Sequence, residues 1–199
     1  MYSVGVLALQ GDFLEHIQML QHIGAKAREI RLPQELKEVQ ALILPGGEST
    51  TMVRLLDLHG FRERLCQRIQ EGMPVWGTCA GLIILARQLQ EKNPTPLGLM
   101  DVLVTRNAYG RQMNSFEAKV SFPALGVEPI QAIFIRAPAI IESGTEVEIL
   151  ARLSDGTPVA VRQDNILATA FHPELTLDMR MHAYFLDMVE FYNRELVDR

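Results

Sequence analysis

The chain has 199 residues, of which 48% are hydrophobic and 22% charged, and its formal net charge is −5. Composition and length, with no linker-like stretch, predict one globular domain over residues 1–199. The absence of a lysine- and arginine-rich stripe argues against a nucleic-acid partner, and no apolar run approaches the roughly 20 residues of a membrane span.

The start of the chain and its cysteine content indicate a reducing cytoplasm. Residues 1–12 lack a basic region and pass directly into a strand pattern, so we predict no secretion signal. Two cysteines cannot build a disulfide framework, and the five histidines show no metal-ligand spacing. We therefore expect a cytoplasmic protein without a metal or cofactor.

The first part of the chain alternates strands with helices. Strands are predicted at 4–9, 27–32 and 41–44. The first helix is predicted to follow Asp12 as its N-cap, to end at Gly24, and to bury Phe13, Ile17 and Leu20. A short polar helix is predicted over 34–39. This alternation predicts a parallel sheet with helices on both faces, which binds ligands at the carboxyl ends of its strands.

A loop with two glycines, Pro45-Gly46-Gly47-Glu48-Ser49-Thr50, follows the third strand. Glycines at a strand's carboxyl end let backbone N–H groups face a ligand without obstruction from side chains. A plain turn that caps the next helix fits the same residues, so the loop alone leaves both interpretations open. The helical region beyond it extends to Gly72 with a predicted break at Gly60.

Residues 74–86, PVWGTCAGLIILA, have the pattern of a buried strand that turns sharply into a helix at Cys79. Gly77 and Gly81 allow strand and helix to pass close together, and the turn presents the thiol to a substrate. Unpaired N–H groups at the start of the helix favour the thiolate. The alternative is a small buried packing cysteine, the role that we predict for Cys66 beside its apolar helical neighbours.

The pattern of predicted elements changes after about residue 89, where hairpins follow one another without helices between them. Strands are predicted at 97–105, 117–122, 131–136, 147–153, 158–162 and 166–171. They predict an antiparallel extension of the sheet, with no long helix between Lys92 and Pro173. A closing helix is predicted after Thr176, with an apolar stripe of Leu177, Met181, Tyr184, Phe185, Met188 and Phe191.

The tripeptide His172-Pro173-Glu174 follows the last strand. Residues two apart in extended backbone point the same way, and proline holds His172 extended, so imidazole and carboxylate should lie together. A surface pair of little consequence is the alternative. Because strand ends converge on one sheet edge, Cys79, Gly47 and His172 are expected to meet, which gives a Cys79-His172-Glu174 triad for acyl transfer. The expected oxyanion donors are the N–H groups of Gly47 and Ala80.

The motifs GTCAG, PGGEST and FHPE resemble those of class I, triad-type glutamine amidotransferases. Together with VLALQGDFLEH, RNAYGRQ and FIRAP, they resemble the glutaminase-subunit family of pyridoxal 5′-phosphate synthase over essentially the whole chain. The resemblance implies an α/β, open three-layer, flavodoxin-like sandwich with a mainly parallel central sheet and an antiparallel extension. It implies catalysis by Cys79, His172 and Glu174, and L-glutamine binding by Gly47, Glu48, Ser49, Arg106, Ile135 and Arg136.

The resemblance also implies a partner. Glutamine would be hydrolysed to glutamate and ammonia, and the ammonia passed to a synthase subunit in a large hetero-oligomer that builds pyridoxal 5′-phosphate. We expect the isolated chain to be weakly active and docking to rearrange the oxyanion site, with Gln10, Gly11 and Asp12 as candidate contacts. Two alternatives are a cysteine hydrolase or peptidase acting on another amide, and a non-catalytic binding or regulatory subunit of the same fold.

Overall fold

The fold is that of a computed structural model, which describes residues 2–106, 108 and 115–197, the last three by their backbone alone. The helices are α1 (Phe13–His22), α2 (Ser49–Leu58), α3 (Phe61–Gln70), α4 (Ala80–Leu85) and α5 (Arg180–Val197). The strands are β1 (Ser3–Leu7), β2 (Lys26–Ile30), β3 (Ala41–Leu44), β4 (Val75–Thr78), β5 (Ala86–Leu89), β6 (Met100–Thr105), β7 (Ser115–Val120), β8 (Ile130–Ile135), β9 (Ala139–Ser143), β10 (Glu148–Arg152), β11 (Pro158–Gln163) and β12 (Ile166–Thr169).

A seven-stranded sheet in the order β10-β11-β12-β4-β3-β1-β2 forms the centre of the fold. The strands from β12 to β2 pair in parallel, whereas β11 and β10 are added antiparallel at one edge. Every residue of β3, β4 and β12 is buried, which requires cover on both faces of the sheet. The predicted parallel sheet with an antiparallel extension is confirmed.

The hairpin region departs from the prediction in two places. Strands β5 and β9 were not predicted; they pair with β6 in a separate three-stranded sheet, and β7 pairs with β8 in another. Helix α4 therefore ends at Leu85 rather than continuing toward Leu89, because residues 86–89 enter a parallel ladder with β6. Ladder pairing with a distant segment overrides the local helical pattern here.

The closing helix starts later than predicted. Helix α5 begins at Arg180, and the side chain of Asp178 accepts a hydrogen bond from the Arg180 amide at 3.0 Å. Leu177, predicted on the buried stripe, is 95% exposed, and Phe191 is also exposed. The prediction for these two side chains was wrong: Leu177 precedes the helix, which begins only after Asp178, and Phe191 lies on the exposed face of the helix.

The buried face of α1 also differs from the prediction. Phe13 and Ile17 are only partly buried, and the fully buried residues on this helix include His16. Cys66 is half-buried on α3, outside the core, and this burial raises the pKa of its thiol. Among the described residues, no helix combines the length and apolar character needed to cross a membrane.

Candidate active site

Cys79 occupies the sharp turn between β4 and α4. Its φ of 46° and ψ of −98° are unusual for a residue with a side chain and mark a strained position. A Cβ added at Gly77 would lie 2.5 Å from the carbonyl carbon of Gly81, so strand and helix pass as closely as predicted. The Cys79 amide donates to the Thr169 carbonyl at 2.8 Å, which fixes the turn against the end of β12.

His172 and Glu174 lie together just beyond the end of β12. His172 Nδ1 is 2.7 Å from Glu174 Oε1, and both side chains are buried. The His172 amide donates to the carbonyl of Ile133 at 2.8 Å, which ties the backbone at His172 to β8. The expected proximity of the two side chains is present, although residues 173–175 form a 3-10 turn instead of extended backbone.

Asp12 is a second carboxylate beside the imidazole. It precedes α1 as predicted, but its side chain makes no capping hydrogen bond; Oδ2 lies 3.4 Å from His172 Nδ1. Burial lowers the pKa of His172, but interactions with Asp12, Cys79 and Glu174 outweigh burial and raise it to about 12. With Nδ1 facing two carboxylates, Nε2 is the nitrogen left for the thiol.

A cavity of about 320 Å³ opens at this edge of the sheet, within the size range of small-molecule sites. Its walls combine every predicted catalytic or glutamine-binding side chain except that of Glu174, which lies behind His172. Ile83 and Leu175 also line it and were not predicted. The full lining is Gln10, Gly11, Asp12, Gly47, Glu48, Ser49, Cys79, Ile83, Arg106, Ile135, Arg136, His172 and Leu175.

The loop that carries Gly47 is hydrogen-bonded to the first strand-helix turn. The Glu48 amide donates to Gln10 Oε1 at 2.8 Å, and the Asp12 amide donates to the Gly46 carbonyl at 3.1 Å. Ala80, the second predicted oxyanion donor, is the first residue of α4, where an amide has no partner within its own helix. The oxyanion role of Gly47 and Ala80 stays a prediction.

Two predicted glutamine-binding residues of opposite charge meet across the cavity. Arg106 Nη2 lies 3.1 Å from Glu48 Oε1. The arginine is held in place because its amide donates to Glu91 Oε1 at 2.9 Å and its Nη1 to the Asn93 carbonyl at 3.1 Å. Residues 107 and 109–112 of the RNAYGRQ motif lie outside the described residues. The pair offers a cation and an anion to an amino acid.

Ile135 and Arg136, from the FIRAP motif, form another wall. Arg136 has a φ of 44°, so this segment, like Cys79, has a strained backbone beside the cavity. The Cys79 Sγ lies 3.8 Å from the Ile135 carbonyl oxygen. The strain of both segments at one cavity is consistent with a functional site, where such conformations concentrate.

Asp12, His172 and Glu174 also form the one group of possible metal ligands among the described residues, with ligand atoms within 4.8 Å of one another. The two carboxylates flank the same nitrogen, His172 Nδ1, at 2.7 and 3.4 Å. A nitrogen that donates a proton to carboxylates has no lone pair for a metal. This arrangement orients an imidazole, and the absence of a metal stays a prediction.

Three buried polar residues behind the triad were not predicted. They are His16 on α1, Thr78 on β4 and His182 on α5, each with no exposed surface. A signal was present for His16, which is three residues after Phe13 and four before Leu20 and so lies on the apolar stripe. A histidine at such a position calls for a buried polar partner.

The sequence matches the model of the SNO glutamine amidotransferase family over residues 6–191. Proteins named pyridoxal 5′-phosphate synthase subunit PdxT are similar to it. The one from Thermotoga petrophila is 52% identical over 94% of this chain and 100% of the relative, and the one from Roseiflexus castenholzii is 53% identical over the same shares.

Solved structures agree with these sequence comparisons. A crystal structure described as a glutamine amidotransferase superposes with a TM-score of 0.89 at 46% identity, covering 94% of this chain and 98% of that one. PurLQS from Thermotoga maritima shares the fold, with a TM-score of 0.69 at 15% identity over 94% of this chain and 99% of that one. The family resemblance seen in the motifs is confirmed: this chain belongs to the SNO glutamine amidotransferase family.

Proposed function

We propose that this chain hydrolyses L-glutamine to L-glutamate and ammonia through a thioester on Cys79. The observation that carries the proposal is the meeting of a strained cysteine and a His172–Glu174 pair at one cavity. Membership of a glutamine amidotransferase family supports the choice of substrate. The cavity of about 320 Å³ supports a small amide rather than an extended peptide.

Free glutamine carries an ammonium and a carboxylate, and the cavity presents groups for both. Glu48 and Arg106 pair with each other at 3.1 Å. An amino acid can replace each partner with a group of the same charge, its ammonium pairing with Glu48 and its carboxylate with Arg106. Gly47, Ser49, Ile135 and Arg136 complete the proposed glutamine-binding set around this pair. The side-chain amide is then directed toward Cys79.

The reaction begins with attack of the Cys79 thiolate on the carboxamide carbon. Negative charge develops on the carbonyl oxygen and is held by the amides of Gly47 and Ala80, donors typically worth about 3 to 4 kcal/mol each. His172 Nε2 gives its proton to the amide nitrogen, the C–N bond breaks, and ammonia leaves a thioester. His172 then takes a proton from water, whose oxygen attacks the thioester and releases glutamate. Glu174 balances the charge of the imidazolium whenever His172 is protonated.

We further propose that a pyridoxal 5′-phosphate synthase partner receives the ammonia in a hetero-oligomer. The relatives' shared name supports this partner, because each is called a subunit of that synthase. Gln10, Gly11 and Asp12 are the candidate contacts. Two of them hydrogen-bond to the Gly46–Glu48 segment, so a partner that moves this turn also moves the oxyanion loop.

Glutamate and ammonia release, measured with and without the synthase partner, tests the proposal. We expect low activity from the isolated chain and high activity from the complex. Cys79→Ala should abolish release, and Cys66→Ala, the matched control on α3, should retain it. Full activity of the isolated chain would contradict partner dependence, and no release from the complex would contradict the glutaminase function itself.

A further inference from the structure

The second oxygen of the Glu174 carboxylate faces a buried histidine rather than solvent. Oε1 bonds to His172, whereas Oε2 lies 3.4 Å from His16 Nε2, and both side chains are fully buried. Among the described residues, Oε2 has no hydrogen bond of good geometry. A buried carboxylate oxygen without a hydrogen bond is costly, so the nature of its histidine neighbour matters.

His16 is itself held between two polar side chains. Its Nε2 is 3.2 Å from Thr78 Oγ1, and its Nδ1 is 3.0 Å from His182 Nε2. The rings of His16 and His182 also pack edge-on against Trp76, with centroids 5.6 and 5.0 Å away. Three elements, α1, β4 and α5, therefore fix the orientation of the His16 ring.

Burial lowers the pKa of both histidines, to about 4 for His182, so both rings are neutral at neutral pH. A neutral His16 carries its proton on either Nε2 or Nδ1. With the proton on Nδ1, the Nε2 lone pair would face the Glu174 carboxylate, and His182 would keep a buried N–H with no acceptor. With the proton on Nε2, both conflicts disappear.

One placement of the protons therefore follows for the hydrogen bonds between His182, His16 and Thr78. The Nε2–H of His182 donates to His16 Nδ1, and the Nε2–H of His16 donates to Thr78 Oγ1, with Glu174 Oε2 3.4 Å from the same nitrogen. The His182 Nδ1 lone pair is left without a partner among the described residues. An unpaired acceptor is tolerated in protein interiors more readily than an unpaired N–H.

We propose that His16 is a positioning residue for the reaction, donating from Nε2 to Glu174 Oε2 so that Oε1 stays aimed at His172. His182 fixes the required tautomer of His16. The inference rests on the glutaminase function proposed above, because it assigns a role to Glu174 in that reaction. It adds two buried side chains, His16 and His182, to the Cys79-His172-Glu174 triad, and neither of them contacts substrate.

The kinetic test compares two substitutions of similar volume in the complex with the synthase partner. His16→Leu removes the donor and should lower kcat about 10- to 100-fold with little change in KM, an effect of the size known for the hydrogen-bond partners that orient metal-ligating residues. His16→Gln places an amide N–H near the position of Nε2 and should restore most of that loss. The matched control is His59→Leu, because His59 is an exposed histidine at the end of α2, away from the triad. Equal kcat values for His16→Leu and the parent chain would overturn the proposal.

A double-mutant cycle separates positioning from general destabilisation. In a Glu174→Gln background, His16→Leu should cost little further activity, because its effect passes through the carboxylate. If the two losses multiply instead, His16 acts by another route and the proposal is wrong. Thermal unfolding of each variant confirms that rates refer to folded protein.

The tautomer is measurable without activity. Nitrogen-15 spectra of the histidine side chains at neutral pH should show His16 protonated at Nε2 and not at Nδ1. Thr78, Glu174, His172 and His182 are the polar or titratable groups that face this ring. A proton on Nδ1 would overturn the inference even in an active enzyme, whereas an inactive complex with the expected tautomer would count against the proposed function alone.

Discussion

Gly46→Ala should disable the site while leaving the fold intact. Gly46 precedes the oxyanion loop residue Gly47, and a Cβ added there would lie 2.8 Å from His172 Nδ1 and closer still to Cε1. Favourable contacts between such atoms need about 3.5 Å or more, so the ring has to move by roughly 1 Å. The backbone of Gly46 does not require glycine, since its φ lies outside the left-handed region.

A shift of that size acts on the hydrogen bond between His172 Nδ1 and Glu174 Oε1, now 2.7 Å long. A displacement of about 1 Å in a catalytic group costs on the order of a hundredfold in rate, or about 2.7 kcal/mol in the barrier. We therefore expect kcat/KM of the complex to fall about a hundredfold. Glutamine hydrolysis at a series of substrate concentrations measures it.

Gly5→Ala is the matched control for the added methyl group. On β1, its Cβ would lie 2.7 Å from Ile30 Cγ1 and 3.1 Å from Leu42 Cδ1, in the core and away from the triad. Overpacking of this kind typically costs about 1 to 3 kcal/mol of stability. Gly5→Ala should thus lower the unfolding free energy with kcat unchanged. A Gly46→Ala enzyme with parental kcat/KM would refute the assigned geometry of His172.

Three further predictions concern charge. Burial lowers the pKa of His182 from 6.5 to about 4, so the unfolded chain binds more protons than the folded chain between these pH values, and the free energy of unfolding falls by about 3 kcal/mol as pH falls through this range. Urea unfolding of His182→Leu should show a smaller loss of stability at acid pH, and a loss equal to that of the parent chain would contradict this. Asp12→Asn should lower the pKa of His172, whose rise depends on that carboxylate, and an unchanged histidine titration by NMR would argue against the contact. Arg106→Gln should raise KM for glutamine about tenfold with kcat little changed, the pattern of a lost binding contact. Arg28→Gln, on the edge strand β2, should leave KM unchanged, and equal changes in KM for the two variants would contradict a binding role for Arg106.

The parallel core was predictable because its strands and helices are defined by local patterns. Strand β3 matches its prediction, and the break at Gly60 separates α2 from α3 as expected. Strands β5 and β9 were missed because their formation depends on pairing with β6, a contact that local sequence does not encode. Likewise, α5 begins at Arg180, whose amide donates to the Asp178 carboxylate, rather than after the predicted cap at Thr176.

The candidate site, like the fold, was predictable where it depends on the parallel core and not where it depends on contacts between distant segments. Convergence of strand ends sufficed to bring Cys79 and His172 to one cavity. The directions of individual side chains were not predictable: Asp12 sits at a helix cap position, yet its carboxylate faces His172 instead of the helix amides. His16 was overlooked for a similar reason, since its partners Thr78 and His182 come from elements 62 and 166 residues away.

A single labelling experiment tests the central claim that Cys79 is the glutamine-directed nucleophile. The complex with the synthase partner is treated with an electrophilic analogue of L-glutamine, and the modified peptide is identified by mass spectrometry. We predict stoichiometric labelling at Cys79, protection by excess L-glutamine, and no labelling at Cys66, the half-buried thiol of α3. An unlabelled Cys79 in the complete complex would contradict the account.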